Sequence, residues 1–552
     1  MSGNDSDETS VPESRHVEAV VVGAGFSGIY MLHKLRELGF TCRLFEAAED
    51  AGGVWWWNRY PGARCDVEST DYSYSFDPEL EQEWHWDELY CTQPDILRYI
   101  HHVLDRYDLR PDMQFSTRVD RAVFDEATSR WTLRTSTGET WTTGYFILAT
   151  GCLSVPKRPE IPGLDAFVGE SYHTAEWPAD GVDFTGKRVG MIGVGSSGTQ
   201  MIPIVAEEAD QLAVLQRSPN FSIPSPNGPM TPEYEAEVKR TYRERRAFAS
   251  NTPSGLNQDV NRVSALEVTP EERQAHYEQY WRTSGFGFTL AYGDLLLNRE
   301  ANQTAVDFIA SKIRETVKDP ATAETLIPKD YPYGTKRASV DNGYYQTFNR
   351  PNVELVDIGS DPIAAVEAHG IRLDSGRTVP LDMIVLATGF DALTGAISKI
   401  DIVGRDGLRL LDKWDAGPRT YLGLSSHGFP NMFIIAGPGS PSVLTNVMAS
   451  LEQHVGWLSE LFTYAREHGI GEIEASLEAE DAWVDHVNEL SAVTLYPQAN
   501  SWYMGANVPG KPRVFMPYPG GLRAYRRRCA AVAQEGYEGF ELSSATEHGS
   551  TP

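Results

Sequence analysis

The chain is poor in cysteine. Its 552 residues hold five, Cys42, Cys65, Cys91, Cys152 and Cys529, at irregular spacings and with no Cys-x-x-Cys pair. An odd, patternless set excludes a disulfide framework and a cysteine-built zinc or other metal site. It also excludes the paired redox cysteines that a flavin disulfide reductase needs. Positive charge is scarce too: 48 lysines and arginines face 77 aspartates and glutamates, a net −29. Nucleic acid and anionic membrane surfaces are therefore not expected as partners, although a local basic pocket is compatible with that total. No apolar run reaches the ~18 residues that span a bilayer. The opening "MSGNDSDETSVPESRHVE" has neither the basic nor the apolar region of a secretory signal, so a cytoplasmic setting is expected. The tail "SSATEHGSTP" reads as disordered.

What is present is a large globular composition. At roughly 100–200 residues per domain the length corresponds to about three or four domains. Residues 17–28, "VEAVVVGAGFSG", are an apolar β-branched run that ends in Gly23-x-Gly25-x-x-Gly28. The segment "IYMLHKLRELG" follows with helical spacing, then a strand "CRLFEA" that reaches Glu46, twenty-one residues after Gly25. Gly23 permits the tight turn, Gly25 lets backbone approach a pyrophosphate, and Gly28 lets the helix pack on the strand. The helix N-terminus offers N–H groups to phosphate, and an acidic residue ~20 positions on suits ribose hydroxyls.

The pattern recurs at residues 186–200, "GKRVGMIGVGSSGTQ", as Gly193-x-Gly195-x-x-Gly198 leading through Thr199 into a second helix. Here the next strand, "QLAVLQR", ends on Arg217 with Ser218 beside it. An arginine at that place suits a 2′-phosphate; the alternative is a solvated surface arginine. One acidic and one basic strand end predict FAD in the first unit and NADP(H) in the second. Two further buried strands, "YFILATG" and "MIVLATGFD", both turn through Thr-Gly and mark passages between domains.

The expected fold is α/β, with two Rossmann-like dinucleotide-binding domains and a helical insertion. The FAD domain is read as residues 1–152 and 390–552, and the NADP domain as 153–220 and 331–389. The insertion is read as 221–330, with linkers near 152–180 and 388–396. In the insertion, Thr231-Pro232-Glu233 and Thr269-Pro270-Glu271 are helix starts. Its reading as a cover for the site and its reading as plain structure both stand.

Two stretches carry a resemblance. "FVGESYHTAEWP" supplies Phe167, Gly169, His173, Trp177 and Pro178, and "GGVWWWNRYPGARCD" supplies Gly52, Gly53, Trp55, Tyr60, Pro61, Gly62 and Asp66. Both resemble fingerprints of the type I Baeyer–Villiger monooxygenases, in particular the group that oxidises phenylacetone and steroids. The resemblance runs from about residue 17 to 540. One departure is Trp56, where those relatives carry tyrosine, close to the flavin.

The resemblance implies an enzyme that uses NADPH, FAD and O2 to convert a small ketone to an ester or lactone. The route implied is a C4a-peroxyflavin and a tetrahedral adduct. It implies that Arg337 is the catalytic cation and Asp66 its partner. Trp55 would lie among the flavin-binding residues, Lys336 would join Arg217 at the 2′-phosphate, and Trp502 would sit on a mobile loop that meets nicotinamide or substrate. Ser442, Val443, Leu444 and Thr445 would line the substrate pocket. His173 either bonds backbone or couples NADP binding to domain rotation. Rival readings are a flavin monooxygenase of amines or thioethers and a non-catalytic NADP(H)-binding sensor. The particular ketone and the oligomeric state, monomer or weak oligomer, are left open.

Overall fold

The computed structural model describes residues 15–544. The N-terminal stretch up to Ser14 lies outside them, while Arg15 to Glu18 open the first strand; the C-terminal tail beyond Ser544 also lies outside, and the tail's first two residues belong to a strand, Phe540–Ser544.

An eight-stranded sheet organises the two ends of the chain. Strand β1 (Arg15–Val22) pairs in parallel with β2 (Cys42–Phe45) on one side and β6 (Thr140–Leu148) on the other. Residues Ala19 to Val22 are buried because helix α1 (Phe26–Glu37) packs on the sheet, so they read as an unbroken apolar run. Beyond β2 lies β3 (Met113–Gln114). The far edge of β6 is shared. Its first half pairs antiparallel with β5 (Arg130–Thr135), itself beside β4 (Val119–Asp125), and its last three residues pair in parallel with Met432–Ile434. The C-terminal third of the chain thus returns to the sheet that the N-terminal residues began.

A second, five-stranded sheet is wholly parallel. Its order is Val353–Asp357, β9 (Gln211–Gln216), β8 (Arg188–Ile192), Met383–Leu386 and β7 (Glu170–His173). The stretch between β9 and Val353 leaves and re-enters through a two-stranded ribbon, Ser222–Pro224 with Ser339–Asp341. Its helices Pro232–Ala249 and Pro270–Thr283 are capped by Thr231 and Thr269, which accept from the Tyr234 and Glu272 N–H groups. Its aromatic core of Tyr277, Phe288 and Phe308 is continuous with Val189, Met191 and Val214 of the parallel sheet.

The chain passes between the two sheets twice, and the two passages pair. Lys157 N–H donates to Gly389 O (2.8 Å), Asp391 N–H to Val155 O (2.9 Å) and Leu393 N–H to Cys152 O (2.8 Å). A loop around residues 501–512 lies on this ribbon. Asn507 Nδ2 donates to Phe390 O (2.8 Å), and Lys511 Nζ reaches Asp391 Oδ1 and Ala392 O (both 2.6 Å).

At Gly28 an added Cβ would lie 1.8 Å from Gly23 O, a backbone atom that cannot swing away. Gly28→Ala is therefore expected to lose about 1–3 kcal/mol of stability by overpacking. A lowered denaturant midpoint together with lost FAD retention on gel filtration is the expected readout.

Candidate active site

Both glycine loops end in helices whose N-termini are open. Neither α1 nor the helix Ser196–Glu208 has a side-chain cap bond or an acidic residue in its first turn. Their unsatisfied N–H groups and positive dipole ends suit an anion. At Gly195 an added Cβ would meet no protein atom within 4 Å, so packing alone does not require glycine there. An open face at that point is what backbone approach to a pyrophosphate needs. These residues fit two dinucleotides.

Glu46 follows β2 and is buried. Its Oε2 accepts from Ala24 N–H (2.6 Å) and its Oε1 from Ala48 N–H (2.8 Å). Burial pushes its carboxyl up, against those bonds. Thr199 is also buried, and its hydroxyl donates to Val194 O (3.3 Å), within its own turn.

Segment 52–66 ties the two units together. A Cβ on Gly53 would come 2.8 Å from Gly25 Cα, so the segment lies directly on the first loop. Trp55 is buried and donates through Nε1 to Tyr72 OH (3.1 Å), while Trp56 stacks under Arg59 (4.5 Å). Further on, Tyr60 OH bonds Gln200 Oε1 (2.9 Å), which reaches the helix of the second unit. The segment ends on Asp66.

Asp66 holds Arg337 in a two-point grip: Nε to Oδ2 at 2.8 Å and an NH2 nitrogen to Oδ1 at 2.9 Å. The remaining terminal nitrogen donates to Val443 O (2.7 Å), and the Phe286 ring covers the guanidinium at 4.2 Å. Burial opposes the charge, but the Asp66 pairing outweighs it and holds Arg337 above its ordinary value. Three of its five N–H groups are thus committed to Asp66 and Val443, and the other two face the Tyr503 hydroxyl, which the guanidinium also engages. Burial pushes the Tyr503 phenol up to about 12, although Arg337 acts the other way.

Ser442, Val443 and Thr445 are buried and Leu444 is half-buried. Ser442 has a left-handed φ of 29°, and its hydroxyl has no partner among the described protein atoms. Thr445 Oγ1 bonds Ser450 Oγ (2.6 Å). Trp502 is half-buried and lies against Tyr503 (4.3 Å between ring centroids).

Arg217 and Ser218 are exposed at the carboxyl end of β9. Lys336 rests on the Tyr331 ring (4.0 Å), and the Tyr331 hydroxyl bonds Pro219 O and Asn220 Oδ1. That brings Lys336 to the segment just after Arg217.

His173 ends β7. Its Nδ1 accepts from Ala175 N–H (3.1 Å), so the proton is on Nε2, which faces Thr388 Oγ1 (3.2 Å). The Thr388 hydroxyl in turn donates to Lys157 O (2.6 Å). The ring therefore sits across the two inter-sheet passages. Gly169 is packed under Asp382 O and the Phe167 ring, and Trp177 is buried against Tyr172 and Phe184.

Four neighbours of these groups escaped sequence reasoning: Phe286, Tyr503, Tyr331 and Lys157. Nothing in their spacing marks them. Only for Tyr503 was there a signal, its adjacency to Trp502.

Two dinucleotide units joined by one segment, with a fixed guanidinium at their junction, define a two-cofactor flavin oxidoreductase. The comparisons agree. Residues 16–225 match the flavin-binding monooxygenase-like family model. A Baeyer–Villiger monooxygenase of Pseudooceanicola batsensis is 43% identical over 94% of this chain and 95% of its own. A phenazine N-monooxygenase of Lysobacter antibioticus is 43% identical over 96% of this chain and 98% of its own. Among solved structures, an oxidised steroid monooxygenase bound to NADP superposes with a TM-score of 0.93 at 52% identity, over 96% of this chain and 100% of that one. The chain belongs to the Baeyer–Villiger monooxygenase family, whose members are FAD- and NADPH-dependent oxidoreductases.

Burial holds the His173 pKa below its ordinary 6.5; Glu176 acts to raise it and Arg158 to lower it further. The folded state thus disfavours the protonated ring, which would also lose the Ala175 bond. This contribution to stability is complete above about pH 6.5 and is lost as the pH falls below it, by at most about 1.4 kcal/mol per unit. Wild-type stability, followed by denaturant titration from pH 7 to 5, should fall more steeply than that of His173→Gln.

Proposed function

We propose that this protein oxidises ketones to esters or lactones, by the peroxide and tetrahedral-adduct route that its family resemblance implies. The observation that carries the reading is the Arg337–Asp66 pair at the meeting point of both dinucleotide units. The overall balance is ketone, NADPH, a proton and O2 giving ester, NADP+ and water. FAD supplies the electron relay and oxygen activation. One oxygen atom enters between the carbonyl carbon and a substituent, and the other leaves in water.

Residues 1–152 and 390–552 form the FAD domain in this reading, 153–220 and 331–389 the NADP domain, and 221–330 the insertion. Gly23, Gly25, Gly28, Glu46 and Trp55 serve FAD. The Glu46 carboxylate, with its backbone N–H donors, keeps acceptor capacity for a ribose hydroxyl. Gly193, Gly195, Gly198 and Thr199 serve the NADPH pyrophosphate, Thr199 by holding the turn, while Arg217, Ser218 and Lys336 take the 2′-phosphate.

Arg337 cannot lose its proton at working pH, so its N–H groups beyond those given to Asp66 and Val443 would favour an anionic attacking oxygen and would hold the oxygen of the substrate adduct as charge develops there. Asp66 fixes the fork, and Phe286 keeps water off its face. The Tyr503 phenol stays neutral at neutral pH and able to donate. Ser442 to Thr445 shape the ketone pocket, with the Ser442 hydroxyl free for a polar group. Trp502 closes on nicotinamide or substrate. Phe167, Gly169, His173 and Trp177 hold the crossing between domains, where His173 links it to the Thr388 strand end.

A second reading is heteroatom oxidation, favoured by the phenazine N-monooxygenase relative. A panel of aryl, linear, cyclic and steroid ketones, amines and thioethers, with products identified by mass spectrometry, separates the two; N-oxides or sulfoxides without any ester overturn the first. Within it, Arg337→Ala should still let NADPH bleach the flavin, yet ester formation should fall by about 10²–10³ or more. Arg337→Lys should not restore it, because an ammonium cannot reproduce the two-point fork. Normal ester yield from Arg337→Ala would remove Arg337 from the chemistry.

A further inference from the structure

We propose that Lys157 is a third cation of the NADPH 2′-phosphate pocket, and that its ammonium joins that pocket to the loop carrying Trp502. The inference rests on the reading of Arg217 and Lys336 as that pocket.

Position is the first argument. Lys157 is gripped through its backbone at the carboxyl end of the strand Met383–Leu386: its N–H donates to Gly389 O and its carbonyl accepts from Thr388 Oγ1. In the same parallel sheet Arg217 follows the carboxyl end of β9, with only β8 between the two strands. Nucleotides bind at such carboxyl edges.

Charge is the second. Arg217, Lys336 and Lys157 form no ion pair among the described residues, in a chain of net charge −29. Burial first, and then the charge of Arg217, press both Lys157 and Lys336 below the ordinary lysine value; Asp391 opposes this at Lys157 and Asp330 at Lys336. Mutually repelling cations with no carboxylate in ion-pair contact suit a multiply charged anion.

The third argument is what the ammonium touches. Its one hydrogen-bond acceptor among the described residues is the carbonyl of Asn507. Asn507 lies in the loop that carries Trp502, and its side chain bonds Phe390 O on the other passage (2.8 Å). An ammonium has three N–H groups, so two remain for phosphate oxygens while one holds the loop. A phosphate that orders Lys157 thereby orders the seat of the loop, and NAD+, without the 2′-phosphate, does not.

The test uses FAD-loaded oxidised protein and equilibrium calorimetry with NADP+ and NAD+, with limited proteolysis of residues 505–512 as a second readout. Lys157→Met keeps the stem and removes the charge. It is expected to weaken NADP+ by about tenfold, the loss of one charge-assisted bond, and to leave NAD+ unchanged. It is also expected to abolish the protection that NADP+ gives the loop, and Lys157→Arg is expected to restore both. Equal weakening of NADP+ and NAD+, no weakening of NADP+, or intact loop protection in Lys157→Met each overturns the proposal. Arg217→Ala separates this from failure of the pocket reading. If that variant keeps the preference for NADP+, the pocket itself is wrongly placed; if it loses the preference while Lys157→Met keeps it, only the role of Lys157 falls.

Discussion

A permanent cation in a half-buried site is the constraint around which the rest is arranged. Arg337 cannot shed its proton, so the fold must supply a carboxylate at the right place or leave the charge uncompensated, which is far costlier than the pair is worth. That carboxylate, Asp66, lies 271 positions away. It can be held there only if the segment that carries it is fixed along its length. Segment 52–66 is: backbone against Gly25 at one end, Tyr60 on Gln200 in the middle, and the two-point grip at the other. The ion pair and the relative placement of the two dinucleotide units are thus one structural fact, since moving either unit drags the segment and with it the acid.

The same economy governs the passages between the sheets. Two isolated linkers would leave backbone groups unpaired and the units loosely coupled. Pairing them into a ribbon satisfies those groups and makes the crossing one object, on which the His173–Thr388–Lys157 chain and the 501–512 loop both rest. His173 acts by staying neutral: a protonated ring would forfeit the bond from Ala175 and disturb the relay to the second passage.

The glycine loops were legible because each is a local object, a strand, a turn and a helix within about thirty residues, and their physics is visible in residue type alone. The caps Thr231 and Thr269 were legible for the same reason. Arg337 and Asp66 entered through resemblance, since no spacing argument links residues so far apart. Phe286, Tyr503 and Lys157 were illegible because each acts through a tertiary contact: a ring laid over a guanidinium, a phenol beside it, an ammonium on a loop carbonyl. Phe, Tyr or Lys at such positions reads as ordinary core or surface until the fold brings the partner alongside.

In the proposed reading, the separation between the cation and the residues that would line the acceptor pocket bears on specificity. Arg337 is oriented by Asp66 and Val443 O, one side chain and one backbone carbonyl. Of these, the carbonyl is indifferent to the side chain at its own position. Residues 442–445 can therefore change shape and polarity while the guanidinium keeps its direction, provided the backbone path holds, and Ser442 keeps that path at a left-handed φ of 29°. Relatives alike over nearly the whole chain carry names for Baeyer–Villiger oxidation and for phenazine N-oxidation. A charge-holding centre that meets its lining through a backbone carbonyl is the arrangement in which such divergence needs few substitutions. In the proposed reading the choice among ketones is then made by the lining and by Phe286, which reaches the guanidinium from the stretch between β9 and Val353, while the pair holds the charge that every one of them needs.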